Sequence, residues 1–308
     1  MKRYELRRAV EVHVLLIVLG LVVMLVPNRR PTVRDYSAML VAMGIMEALF
    51  LLALYRRKKA GRSVKAAYDI ITLVWILLLI WEYFTSVSNR AHPVLVPCPE
   101  NVFDTFRVHW RVMLTNIAYS MELLFTGLFI GLTAAIVLGL FAGWIPRIRD
   151  VAYPIANVMA PLPAIVISPY LVAVMPTFRS ASAAVIILGV FWPTFLTTIN
   201  RIGGIEREIL DSARMLNPSN WTMIWKVLLP YILPGVVGGL KVSMTTSVMM
   251  LNFAELMGAT HGLGYYIQNA ITYANYTHAV AGILTIGIVV TILSALVTKV
   301  QKIAIRWR

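Results

Sequence analysis

Acidic side chains and cysteine are both scarce in this chain, and each scarcity removes a class of chemistry. The 308 residues hold 14 Asp and Glu and one cysteine, Cys98, so an internal disulfide and a cysteine-based metal cluster are excluded and Cys98 reads as a plain loop residue. No histidine is followed by glutamate, which removes the HExxH arrangement of zinc peptidases, and no GxSxG elbow occurs. No glycine directly precedes a lysine, so a GxxxxGK[ST] phosphate loop is absent. The five histidines, His13, His92, His109, His261 and His278, are scattered over span ends and loops and read as interfacial or packing residues. Charged residues of both signs amount to only 14% of the chain.

Apolar residues fill that space. At 59% hydrophobic the chain is a membrane protein by composition, and several runs reach the roughly 20 residues that a bilayer core demands. Eight spans are expected: Ala9 to Val26, Tyr36 to Tyr55, Ala66 to Val87, Ile117 to Ile145, Val151 to Phe178, Ser180 to Asn200, Pro234 to Leu256 and Ala279 to Thr298. The first carries Glu11 and His13 and lacks a small-residue cleavage pattern, so it reads as a span rather than a secretory signal.

The net charge of +14 suggests nucleic acid until the positions are mapped. Twenty of the 28 basic residues then fall on one side. Lys2, Arg3, Arg7 and Arg8 open the chain; Arg56, Arg57, Lys58, Lys59, Arg62 and Lys65 fill one loop, and Arg147 and Arg149 another; Arg201, Arg207, Arg214 and Lys226 lie in a long loop; Lys299, Lys302, Arg306 and Arg308 close the chain. The opposite loops hold Arg29, Arg30, Arg34, Arg90, Arg107, Arg111 and Arg179, and Lys241 lies inside the seventh span. An excess of Lys and Arg marks the cytoplasmic side. Both termini are therefore expected in the cytoplasm, with no nucleic-acid partner.

Between residues 89 and 116, the segment NVFDTFRVHWRVM places Val102, Phe106, Trp110 and Met113 at helical spacing, with Asp104, Arg107 and Arg111 opposite. It is expected to lie along the external membrane surface. The fifth span contains Pro154, Pro161, Pro163, Pro169 and Pro176. Each internal proline removes a backbone hydrogen bond, so regular helix is not expected there; broken helices of this kind line translocation paths or sit kinked inside a bundle. Gly235, Gly238 and Gly239 in PGVVGGLK offer a surface for close helix contact.

The segment RIGGIEREILDSARMLNPSNWTMIWKVLLP, residues 201–230, is polar enough to leave the membrane and helical in pattern. It predicts two short helices. In the first, Ile209, Ala213 and Leu216 share a face, and Glu206, Glu208 and Asp211 sit in the half that the helix dipole favours for negative charge. Asn217 tolerates the left-handed conformation of a helix stop, and Pro218 opposes continuation. Ser219 or Asn220 can cap a second helix, whose Trp221, Ile224, Trp225 and Leu228 form an apolar stripe.

This segment resembles the EAA loop of binding-protein-dependent ABC importer permeases, in which Glu-Ala-Ala is followed after three residues by glycine and later by Leu-Pro. The matching residues are Asp211-Ser212-Ala213, Asn217 and Leu229-Pro230. They depart from the pattern by a shorter acid, one hydroxyl, and asparagine for glycine at the turn. The resemblance extends through FAELMGATHGLGYYIQNA (253–270), which is similar to the nitrate, sulfonate and taurine branch, APLPAIVISPY (160–170) and VPCPENVFDTF (96–106). It covers about residues 70–308 and leaves the first two spans outside.

The resemblance implies an all-α polytopic membrane protein of about eight transmembrane helices: a type I ABC importer permease core at 66–308 and extra N-terminal helices at 1–65. It implies a bacterial or archaeal plasma membrane, a second permease copy forming a homodimer, an extracytoplasmic solute-binding protein, and an ABC ATP-binding subunit that carries the ATP and Mg this chain does not. Glu208, Asp211, Ser212, Ala213, Leu216, Asn217, Leu229 and Pro230 would meet that subunit, with Ser212 and Ala213 at the contact. The cargo implied is a small anion such as a sulfonate, nitrate or bicarbonate.

Polar residues within spans are costly unless they face the interior. Pro163, Ser168, Ser243, Thr246, Asn252 and Glu255 are accordingly the expected path residues, Thr245 and Ser247 lying on the same span. Glu255 reads equally as an anchor for nearby backbone, and Ser and Thr commonly bond their own helix. Glu47, Glu82 and Glu122 are expected to meet arginines or interfacial water. A competing reading, an ion-coupled secondary transporter, would use Glu47 and Glu255 as proton or sodium sites.

Overall fold

The computed structural model describes residues 2–30, 33 and 35–304, with side chains from Glu5 onward. Of the basic residues counted above, Arg34, Arg306, Arg308 and the side chains of Lys2 and Arg3 lie outside the described residues. Every regular element among them is helical: α1 (Lys2–Leu25), α2 (Ser37–Lys59), α3 (Lys65–Glu82), α4 (Pro99–Val108), α5 (Trp110–Trp144), α6 (Pro146–Met159), α7 (Ser168–Val174), α8 (Phe178–Gly203), α9 (Arg207–Arg214), α10 (Asn220–Thr222), α11 (Leu229–Leu256), α12 (Leu263–Thr272) and α13 (Tyr276–Ala304).

Seven of the described helices are long and apolar enough to cross a membrane, and a bent pair makes an eighth crossing if it counts as one span. That pair is the expected fifth span: α6 and the segment Ala164–Val174 meet at 83°. The prolines account for the bend. Pro161 and Pro163 occupy the break, Pro169 sits in the first turn of α7, where its missing N–H costs nothing, and only Pro154 lies inside a helix.

The chain divides into two compact units, Met1–Met113 with Ile267–Ile283, and Leu114–Tyr266 with Leu284–Arg308. In the first unit, stripes recurring at helical spacing meet in one core: Val12, Leu19 and Val23 of α1, Met39, Met43, Phe50 and Leu54 of α2, and Ala67, Tyr68, Ile71, Trp75 and Leu78 of α3. Glu47 is met by His13, whose Nε2 lies 3.3 Å from its carboxylate, and not by an arginine. Glu82 is buried and directed at Ser86 and Glu100 rather than at arginine or water. Glu100 accepts hydrogen bonds from Asn28 Nδ2 (2.9 Å) and Ser86 Oγ (3.2 Å).

The amphipathic segment departs from expectation. α4 ends at Val108, and Trp110 and Met113 belong to the long α5. Glu100, Asp104 and Thr105 are buried together with Val102 while Arg107 stays exposed, so only part of the polar face of α4 turns inward. Asp104 is paired within the same helix by Arg107 at 2.7 Å. Cys98, expected in a plain loop, is the residue before α4 and is 2% exposed; burial pushes its thiol pKa up.

The second unit is built on close approach of α5 to α8. A Cβ on Gly127 would stand 2.8 Å from Ile186, on Gly139 2.7 Å from Thr198 and on Gly143 2.6 Å from Ile202. Those glycines, at spacings of four and twelve residues, form the groove that receives α8. The contact expected from PGVVGGLK is not made within the chain: Gly238 and Gly239 face open space, and Gly235 accommodates the side chain of Arg201.

Candidate functional site

Two places in the second unit combine polar side chains with defined geometry. The first is the segment 201–230. α8 stops at Gly203, and α9 follows after a short link. Asn217 has φ +45°, the left-handed stop expected of it. Ser219 caps the next turn, its Oγ accepting from Thr222 N at 3.2 Å.

The second predicted helix is not a separate element. From Asn220 the chain runs helically to Leu256, through a widened π turn at Met223–Leu228. That turn immediately precedes Pro230, whose ring conflicts with an ordinary carbonyl four residues earlier and whose nitrogen donates nothing. Leu229 and Pro230 thus open α11 instead of closing a loop.

The inward face of α9 is Leu210 and Ala213, packed with Trp225, Val227 and Leu229 around Leu140, Ile202, Met223, Ile224 and Leu228. Ile209 and Leu216, expected on the face of Ala213, point away from that cluster. Leu216 is 84% and Met215 88% exposed, and Trp221, packed at a tilt on Phe141 and Trp225, is also exposed. Ser212 is exposed with its hydroxyl donated to Glu208 O at 2.7 Å, and Arg214 lies 3.3 Å from Asp211. Trp144 at the end of α5 supports the segment, donating Nε1 to Asn220 Oδ1 at 3.0 Å and carrying Arg214 over its ring. The result is a firmly seated turn whose tip is apolar and uncovered.

The second place surrounds Glu255, which is 1% exposed. Its carboxylate accepts from Ser120 Oγ at 2.6 Å and from Gly264 N at 2.7 Å, while Ser120 Oγ accepts from Leu263 N at 2.9 Å and Asn116 Oδ1 from Gly262 N at 2.8 Å. Asn116, Ser120 and Glu255 together hold the N–H groups that open α12, which its own helix leaves without acceptors. Gly262 has φ +118° and faces the carboxylate so closely that a Cβ would overlap it. Glu255 is thus a backbone anchor, holding the turn at Gly262.

The remaining expected path residues separate. Asn252 donates Nδ2 to Val248 O at 2.9 Å, and Ser247 its hydroxyl to Ser243 O at 2.8 Å, so both serve their own helix. Ser168 is fully buried against Met257 Sδ at 3.1 Å; Pro163 is exposed at the bend; Thr246 and Ser243 are half-buried. Glu122 meets Arg179 in an ion pair, as expected of it.

Sequence reasoning missed Asn116, Ser120 and Arg201. The first two lie four residues apart on one helix face, a signal available in the sequence; Arg201 reads as one more basic flank until Gly235 is seen beside it.

Residues 127–307 match the family model described as binding-protein-dependent transport system inner membrane component. Among curated proteins, the chain is 25% identical over 254 residues to a putative aliphatic sulfonates transport permease, SsuC, of Bacillus subtilis, covering 82% of this chain and 92% of that one. It is 24% identical to the taurine transport system permease TauC of Escherichia coli, covering 75% and 86%. It is 23% identical to the formylaminopyrimidine transport permease ThiX of Halalkalibacterium halodurans, covering 80% and 99%. The inward-facing MetNI methionine ABC transporter aligns with a TM-score of 0.49 at 18% identity, over 66% of this chain and 97% of that one.

Proposed function

Because this chain belongs to the family of binding-protein-dependent transport system inner membrane components, the permeases of ABC importers, we propose that it carries a small anionic solute across the membrane and is driven through residues 201–230 by a separate ATP-binding subunit. The observation that carries the coupling half is the uncovered apolar tip at Met215 and Leu216 on a turn otherwise fixed to its own bundle. Glu208, Asp211, Ser212 and Asn217 surround that tip on the exposed side. Ala213 and Leu229 seat it from beneath, and Pro230 sets the π turn at its root.

The basic excess on the loops that include this segment supports placing it, with both termini, in the cytoplasm. A second permease copy completes the path, and an external binding protein delivers the solute. The sulfonate and taurine permeases among the relatives support an anionic cargo, and the presence of a formylaminopyrimidine permease beside them supports cargo being chosen by the binding protein.

The test is uptake into proteoliposomes holding this chain with its ATP-binding subunit and solute-binding protein. Uptake that requires enclosed ATP and ignores a protonophore is expected. Uptake that collapses with the protonophore and proceeds without ATP would instead establish an ion-coupled carrier using Glu47 and Glu255.

A further inference from the structure

Between α8 and α11 lies a cleft of about 200 Å³, lined by Thr194, Thr197, Arg201, Gly235, Gly239 and Ser243 among others. No acidic residue lines it. Arg201 enters across α11 at Gly235, where a Cβ would overlap its guanidinium, so the absence of a side chain there is what admits the charge. Arg201 is half-buried as a residue, its guanidinium nitrogens reach solvent, and they make no hydrogen bond or ion pair with any described residue. Thr197 and Thr198 donate their hydroxyls to Pro193 O (2.7 Å) and Thr194 O (2.8 Å), whereas the hydroxyls of Thr194 and Ser243 are unengaged.

The cleft therefore holds a positive charge that water can reach and no described acid neutralises. A guanidinium carries five N–H donors in a fork and no acceptor, and its matching partner is an oxyanion bound through two oxygens. The flexible, strongly hydrated lysine would not present the same fork. We infer that Arg201, with Thr194 and Ser243, is a binding point for a sulfonate-like or other tetrahedral oxyanion on the solute's path, at the end of α8 that leads into the coupling segment. This deepens the permease reading and rests on it: the residue that passes the anion is two positions from the helix end that the ATP-binding subunit moves through α9.

A thiol probe tests the site without transport. In the full chain in lipid nanodiscs, with Cys98→Ser removing the native thiol, Thr197→Cys places a thiol in the cleft. Its modification by 2-sulfonatoethyl methanethiosulfonate should outpace that by the trimethylammonium analogue by about tenfold, the effect of one nearby positive charge. R201Q should abolish the preference and R201K keep it. Millimolar methanesulfonate should slow the reaction in chains with Arg201 intact, a measurement that stands even where R201Q does not fold.

A preference that survives R201Q, or no protection by methanesulfonate, overturns the site. Protection by dihexanoyl-phosphatidylglycerol but not by methanesulfonate also overturns it, assigning the guanidinium to a lipid headgroup. The thiol chemistry needs neither nucleotide nor partner, so its failure leaves ATP-driven uptake untouched. Loss of ATP-driven uptake with the preference intact counts against the permease reading alone.

Discussion

Leu216→Arg separates a docking role for the 201–230 segment from a merely structural one. Leu216 is 84% exposed and makes no contribution to the cluster beneath α9, so the chain's own stability should change by less than about 0.5 kcal/mol, as for a surface substitution. If the side chain is covered when the ATP-binding subunit docks, its loss removes burial of about 2 kcal/mol. That corresponds to about a 30-fold rise in Kd, and the desolvated arginine adds to it. The assay is titration of the ATP-binding subunit onto immobilised nanodiscs, with thermal unfolding of the permease measured in parallel. Ala213→Arg is the contrasting substitution, because Ala213 is packed against Leu210 and the neighbouring core; it should lower the Tm of the permease itself. An unchanged Kd for Leu216→Arg, or a permease destabilised as much by it as by Ala213→Arg, would refute the division of α9 into a seated face and a docking face.

Glu255→Ala leaves Ser120 O–H and Gly264 N–H without their acceptor and should cost about 3 kcal/mol in reversible unfolding, with Glu255→Gln intermediate. Gly139→Ala drives a methyl to within 2.7 Å of Thr198 and should destabilise by about 1–3 kcal/mol, whereas Gly238→Ala, in open space, should be neutral or stabilising by thermal melt because alanine favours helix. Cys98, whose thiol burial holds above its ordinary pKa, should resist iodoacetamide at pH 8 until the chain unfolds. Its effect on stability is intact below about pH 8.5 and erodes as the pH rises past the unfolded thiol's value, which a pH series of melts would detect.

The sequence disclosed elements wherever local chemistry decides. The apolar runs became spans, Pro161 and Pro163 mark an 83° bend, Asn217 took the left-handed stop, and Ser219 capped the turn it precedes. What it concealed depends on partners distant along the chain. The carboxylate of Glu255 meets Ser120 across 135 residues, and no local pattern announces that pairing. Glu100 of α4 turned inward because Asn28 and Ser86 donate to it there. The close-contact glycines lay on α5 rather than in PGVVGGLK, since a glycine's role depends on what faces it. The second short helix merged into α11 because the π turn leads into Pro230 in the first turn of α11 and Pro234 lies within the helix interior.

The uninterrupted run from Asn220 to Leu256 has a mechanical meaning. Its 37 residues make a rod about 55 Å long, with one end beside the uncovered tip and the other bearing the carboxylate that holds the start of α12. Pivoting such a rod by about 5° about one end sweeps the other through about 5 Å, a displacement comparable to one helical turn. Its compliant points, the widened turn at Met223–Leu228 and Pro234 inside the helix, both lie close to the driven end. Stiffness there would set how much of a push on the tip arrives at Glu255 as motion and how much is absorbed as bending.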